Sequence, residues 1–168
     1  MRRSSIGGMG ALLVWLLASS AGAASPSPET TLEDVVFQGF RPGESGYRVH
    51  ASRARVDWVR RVAHLESVKI VFEGREGQEP IRVRSDRGLV YLNREDLELS
   101  GNVEGDTATG DTFRSDRARY DQEHRRLTGK GHVRVERTGR VYEGAAMELD
   151  LDSREVRFRG KVRVRVEP

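Results

Sequence analysis

Three stretches of the chain are variations on one pattern, and that repetition limits the fold more than any other feature. Ser85–Val103 reads SDRGLVYLNREDLELSGNV, Ser115–Val133 reads SDRARYDQEHRRLTGKGHV and Gly144–Val162 reads GAAMELDLDSREVRFRGKV. Each unit places alternating apolar residues before a polar turn, then a second alternating run that closes on Gly, one further residue and Val. Gly101, Gly131 and Gly160 mark the same point in each copy, at a period of about 30 residues. A weaker first copy runs from Ala51 to Val68, with Ser67 in place of the glycine, and is followed by a longer insertion, REGQEP.

Period-2 alternation sends successive side chains to opposite faces of a strand. In the second half of each unit one face collects Val68, Ile70 and Phe72; Leu97, Leu99 and Val103; Val133 and Val135; Val156 and Phe158; and finally Val162, Val164 and Val166. In the first halves the matching face is drawn from Tyr47 and Val49, Leu89 and Tyr91, Ala118 and Tyr120, and Met147, Leu149 and Leu151. Their neighbours are mostly charged, so the strands are one-sided. Ala51–Val62 is the one stretch open to a helical reading, and its β-branched residues and its match to the later repeats make it strand. The expected fold is all-β: short antiparallel strands stacked repeat upon repeat, folding toward one another without closing, with an apolar trough inside. The repeated glycines are expected at bends or bulges that curve the sheet.

Hydrophobic residues make up 36% of the chain and charged residues 33%, a ratio that suits a sheet with a wet outer face better than a thick closed core. The length suits one domain, expected over residues 32–168, after a Pro/Ser/Thr linker at 25–31. Residues 1–24 carry Arg2 and Arg3, a dense apolar stretch of only about eight residues and then Ala21-Gly22-Ala23, which is a signal peptide or an N-terminal membrane anchor. Either places the domain outside the cytoplasmic membrane.

The +3 net charge is spread among interleaved acids and bases, which argues against a nucleic-acid surface. With no cysteine there is no thiolate zinc site and no cysteine nucleophile. No GxSxG, HExxH or phosphate loop is present, so the chain is not expected to be an enzyme. His50, His64, His124 and His132 lack ligand spacing, and neither metal nor cofactor is expected. Asp150 and Asp152 share a strand face and read as a solvated pair.

The export segment, the Gly46–Ala51 opening (GYRVHA), the Ser115–Tyr120 pattern (SDRARY) and the Gly-x-Val endings together resemble the LptA/LptC/OstA-like family of periplasmic lipopolysaccharide-export proteins, and LptC most of all. The resemblance spans roughly Leu32 to Pro168. It implies an open β-jellyroll whose trough, lined by the residues above, holds the acyl chains of lipopolysaccharide, taking them from an inner-membrane ABC transporter (LptB/LptF/LptG-like) and passing them to an LptA-like bridge protein. It also implies sensitive glycines matching Gly43 and Gly144. The segment Lys161–Glu167, with Val162, Val164 and Val166, is the expected partner edge, open to β-augmentation by the bridge or by a second copy. Two other readings stay open: an LptA-like soluble bridge, and a structural β-module whose interior is filled by its own side chains.

Overall fold

The computed structural model describes residues 13–15, 29–39, 46–75 and 77–166. Every element among them is a strand: β1 (Leu13–Trp15), β2 (Glu29–Gly39), β3 (Tyr47–Asp57), β4 (Val62–Phe72), β5 (Ile81–Tyr91), β6 (Asp96–Thr107), β7 (Thr112–Asp121), β8 (Arg126–Arg137), β9 (Arg140–Asp150) and β10 (Val156–Val166). They form one antiparallel sheet in which sheet order equals chain order. Strand β2 starts at Glu29, three residues before Leu32. Of the N-terminal segment only β1, paired with Val36–Gln38, is described.

The strands are not short, as the alternation alone suggests. Each of β2–β10 runs for 10 to 12 residues and bends in its middle. The bend falls where the pairing register slips, between Ser100 and Val103 on β6, Lys130 and Val133 on β8, and Arg159 and Val162 on β10. Each slip is a bulge in which two residues oppose one, and a bulge of this kind bends its strand. The repeated glycine therefore marks the middle of a strand, and a sequence unit runs from one bend to the next.

Residues with left-handed backbone lie along this crease: Asp34, Ser67, Gly101, Asn102, Gly131, His132 and Gly160. The Ser-Asp-Arg triplets of the repeats serve the same bend from the partner strand. Ser85 Oγ donates to the Arg87 carbonyl at 2.9 Å and Ser115 Oγ to the Arg117 carbonyl at 3.0 Å, on the inner side. On the outer side Asp86 accepts from Asn102 Nδ2 at 2.8 Å, and Asp116 meets His132 Nδ1 at 2.8 Å.

Bent this way in register, the sheet folds double. The halves of the strands before and after the crease become two facing walls, with the core between them. Phe72 on one wall lies 4.6 Å, centroid to centroid, from Tyr120 on the other, and Tyr47 meets Tyr120 edge to face at 5.5 Å. The outer face carries cross-strand ion pairs such as Arg134–Glu143 at 3.3 Å and Arg159–Glu148 at 3.0 Å. Such half-exposed pairs contribute at most about 1 kcal/mol each, so apolar burial between the walls is the larger stabilising force.

Candidate functional site

Among the described residues, the space between the walls gathers a ligand-sized apolar surface. Of the residues read from the alternation, Tyr47, Val49, Val68, Ile70, Phe72, Leu97, Leu99, Val103, Tyr120, Val133, Val135, Met147 and Leu149 are buried there. Val156 and Phe158 pack against them half-buried. Leu89 and Tyr91 do not belong to the set. Both face outward: the Tyr91 hydroxyl donates to Glu98 Oε1 at 3.2 Å, and Leu89 pairs with His64 and Glu98 on the outer face. The physical reason is the bend at Asp86–Arg87, which resets the alternation so that Ser85, Gly88 and Val90 point inward in turn. Val90 is fully buried in their place.

The interior also takes in Ala54, Val56, Leu65, Ile81, Val83, Phe113 and Leu127, which the alternation did not single out. The repeat itself held the signal for Val90: aligning SDRGLV with SDRARY sets it on Tyr120.

The trough is closed at one part and open at another. Around Tyr47, Phe72 and Tyr120 the three rings fill the gap between the walls. The Tyr47 hydroxyl donates to the Glu95 carbonyl at 2.8 Å, tying one rim of the folded sheet to the other. Burial, aided by the nearby Glu95 carboxylate, pushes the Tyr47 phenol far above its ordinary pKa, so it acts as a neutral hydrogen-bond donor. Toward β10 the walls part. Ile81, Phe113 and Val135 on one side and Met147, Leu149 and Val156 on the other enclose a cavity of about 330 Å³, at the lower end of the size range of small-molecule sites.

Two further features extend this surface. Gly144 faces inward, where a side-chain carbon would lie 3.2 Å from Phe158 Cδ1; the missing side chain leaves room for the Phe158 ring, which stacks on Tyr142 at 5.8 Å. Beyond the β10 bend, Val162, Val164 and Val166 continue the inner face but are 40%, 54% and 74% exposed, because β10 pairs only with β9 and no strand follows among the described residues. Gly43 lies outside the described residues.

The polar candidates resolve into structural roles. Asp150 and Asp152 separate: Asp150 Oδ1 caps the turn by accepting from the Asp152 and Ser153 amides at 3.0 and 2.9 Å, whereas Asp152 takes Arg125 Nε at 2.8 Å. The four histidines stand at exposed positions. Among the described residues no three His, Cys, Asp or Glu side chains converge as metal ligands, and no helix is long and apolar enough to cross a membrane.

This geometry has known counterparts. The model of the LptC family, described as lipopolysaccharide-assembly, LptC-related, matches residues 9–167. Among solved structures, the crystal structure of LptH, the LptA-homologous periplasmic component of the lipopolysaccharide transport device of Pseudomonas aeruginosa, superposes with a TM-score of 0.59 at 13% sequence identity, covering 73% of this chain and 95% of that one. That likeness establishes the shared open jellyroll of antiparallel strands. No curated protein sequence matches the chain.

Proposed function

From the premise that the chain belongs to the LptC-related family of lipopolysaccharide-assembly proteins, we propose that its folded sheet binds the acyl chains of lipopolysaccharide and relays them from the inner-membrane transporter to an LptA-like bridge. The observation that carries this reading is the continuity of one apolar surface. The cavity bounded by Phe113, Val135, Met147 and Leu149 leads to Phe158 and then to the uncovered Val162, Val164 and Val166. Each methylene moved from water onto such a surface gains about 0.8 kcal/mol, so several acyl chains bind well without polar contacts and can slide without breaking any. No chemical step is assigned to the chain.

A second copy of the strand pattern, on a bridge protein, would continue both the hydrogen-bond ladder and the apolar stripe at β10. The exposed valines support this edge as the exit, with an LptA-like partner docked against it. The N-terminal segment holds the domain at the inner membrane or is removed on export, and the mass of the mature protein distinguishes the two.

Photocrosslinking in cells tests the carrier reading. A photoreactive residue at Phe113, Val135 or Leu149 is expected to yield lipopolysaccharide adducts, and one at Leu89, on the outer face, none. Equal labelling at all four positions, or none at the inner three in a folded protein, would leave a structural β-module as the better account.

A further inference from the structure

The insertion between β4 and β5 is longer than the other connections between β2 and β10, and its described residues reach across the mouth of the folded sheet. Arg75 pairs with Asp152 at 2.8 Å, and Gln78 Nε2 donates to the Asp152 carbonyl at 2.7 Å. Arg154 donates to the Glu79 carbonyl. Behind them the buried Arg125 donates through Nε to Asp152 Oδ1 at 2.8 Å and through its terminal nitrogen to the Glu73 carbonyl at 3.3 Å. These contacts join residues more than seventy positions apart in the case of Gln78 and Asp152, and they link the loops of one rim to the turns of the other. Gly77, Gln78 and Glu79 also form part of the wall of the apolar cavity, as Arg154 does.

The clasp and the core are held by different forces. The core is buried apolar contact, whereas Arg75 and Asp152 are 61% and 27% exposed, and partly exposed ion pairs exchange readily for water. Several guanidinium groups also crowd a single carboxylate. Burial and the neighbouring Arg125 hold the Arg154 guanidinium below its ordinary pKa. The Arg75 and Gln78 contacts can therefore part while the sheet, its crease, its core and the buried Arg125–Asp152 pair stay intact, the kind of local opening that needs far less energy than unfolding.

We infer that the polar clasp centred on Asp152, with Arg75, Gln78 and Arg125, is a gate on the long side of the trough: parted, it admits an acyl chain laterally into the cavity, and closed, it retains the chain. What passes the gate rests on the acyl-carrier reading; the opening itself does not.

The test uses the full chain, which contains no cysteine, so that a single introduced thiol, Leu149→Cys, reports access to the cavity. Two clasp variants are compared: Arg75→Gln with Gln78→Ala, which spares the buried Arg125–Asp152 pair, and Asp152→Asn. Melting curves establish that each is folded, and the first pair keeps the test sharp if the second is not. Labelling of the introduced thiol by a water-soluble maleimide is expected to accelerate about tenfold, the change produced by shifting the opening equilibrium by about 1.4 kcal/mol. An unchanged rate in folded variants overturns the gate. In a second arm, a bismaleimide bridges Gln78→Cys and Asp152→Cys, and release of a bound fluorescent palmitate analogue is timed. Release slowed about tenfold, the same energy step read as a rate, supports the gate, and unchanged release overturns it. If labelling responds but no variant binds the palmitate analogue or purified lipopolysaccharide, the gate stands and the carrier reading falls.

Discussion

Gly101 stands directly against Asp86 across the crease: a carbon added to Gly101 would lie 2.7 Å from the Asp86 carboxylate oxygen. The same strand position on β8, Gly131, faces Asp116 in the same way, and both glycines have a φ of +75°. Close approach and left-handed backbone therefore coincide at the point where the sheet must fold over.

Alanine at Gly131 is expected to destabilise the protein by more than the about 1–2 kcal/mol that left-handed backbone costs a residue with a side chain. Gly160, with a φ of +91° and open space around it, carries the backbone cost alone. Urea unfolding of Gly131→Ala and Gly160→Ala separates the two contributions; equal losses would show that the aspartate contact adds nothing.

The register of β5 is checked by placing one carboxylate at adjacent positions. Val90→Asp buries an unpaired charge and is expected to cost about 4 kcal/mol or more, whereas Leu89→Asp stays within about 1 kcal/mol of the parent. Denaturant midpoints of the two variants measure the difference, and the opposite ranking would turn the strand over.

This pair also shows how far the sequence could be read. Alternation placed the inner face correctly on β3, β4, β6, β7, β8 and β9, because there the bulky apolar residues are the ones that point inward. On β5 the half after the bend at Asp86–Arg87 carries its bulkier residues, Leu89 and Tyr91, on the outer face, while the inward positions hold the smaller Gly88 and Val90. The repeat alignment carried the correct phase, since it copies the bend along with the side chains. The clasp was not legible: Arg75 lies in the insertion outside the repeats and Asp152 in the polar turn of the last one, and only the folding of the sheet brings their rims together.

Widening the side chain at Gly144 is expected to act on ligand binding more than on stability. Gly144→Ala brings a carbon to 3.2 Å from Phe158, tighter than ordinary contact, and the ring can yield; Gly144→Val drives it toward the cavity. We expect the valine variant to lose lipopolysaccharide adducts at Val135 while its melting temperature falls by no more than a few degrees, the size of shift about 1 kcal/mol produces. Normal adduct yield in the valine variant would remove Gly144 from the binding surface.

At the exposed end, Val164→Arg is expected to leave the fold intact and abolish co-purification with an LptA-like partner. The position is 54% exposed, so stability changes within about 0.5 kcal/mol, whereas a charge placed on the apolar stripe of a docked strand is buried without a counter-ion. Unaltered co-purification would move the partner to another edge.

Acid is expected to loosen the turns. The Arg60 amide holds the Asp57 carboxylate below its ordinary pKa, and the Ser153 amide does the same for Asp150. A carboxylate with a depressed folded pKa contributes stability that is complete above the unfolded value of about 4 and disappears as the pH falls through the folded value. Melting temperature should therefore be level near neutral pH and decline below about pH 4, with a shallower decline in Asp150→Asn. An equal acid slope in that variant would remove the Asp150 cap as a cause.

Because every strand from β2 to β10 bends at its middle and contributes to both walls, depth and length are set by separate means in this architecture. The position of the bend along a strand decides how deep each wall is; the number of hairpins decides how far the walls run. Adding or losing a repeat alters the length of the walls and leaves their depth unchanged, so a sheet of this design can be lengthened, or met end to end by another of the same section, without moving its crease.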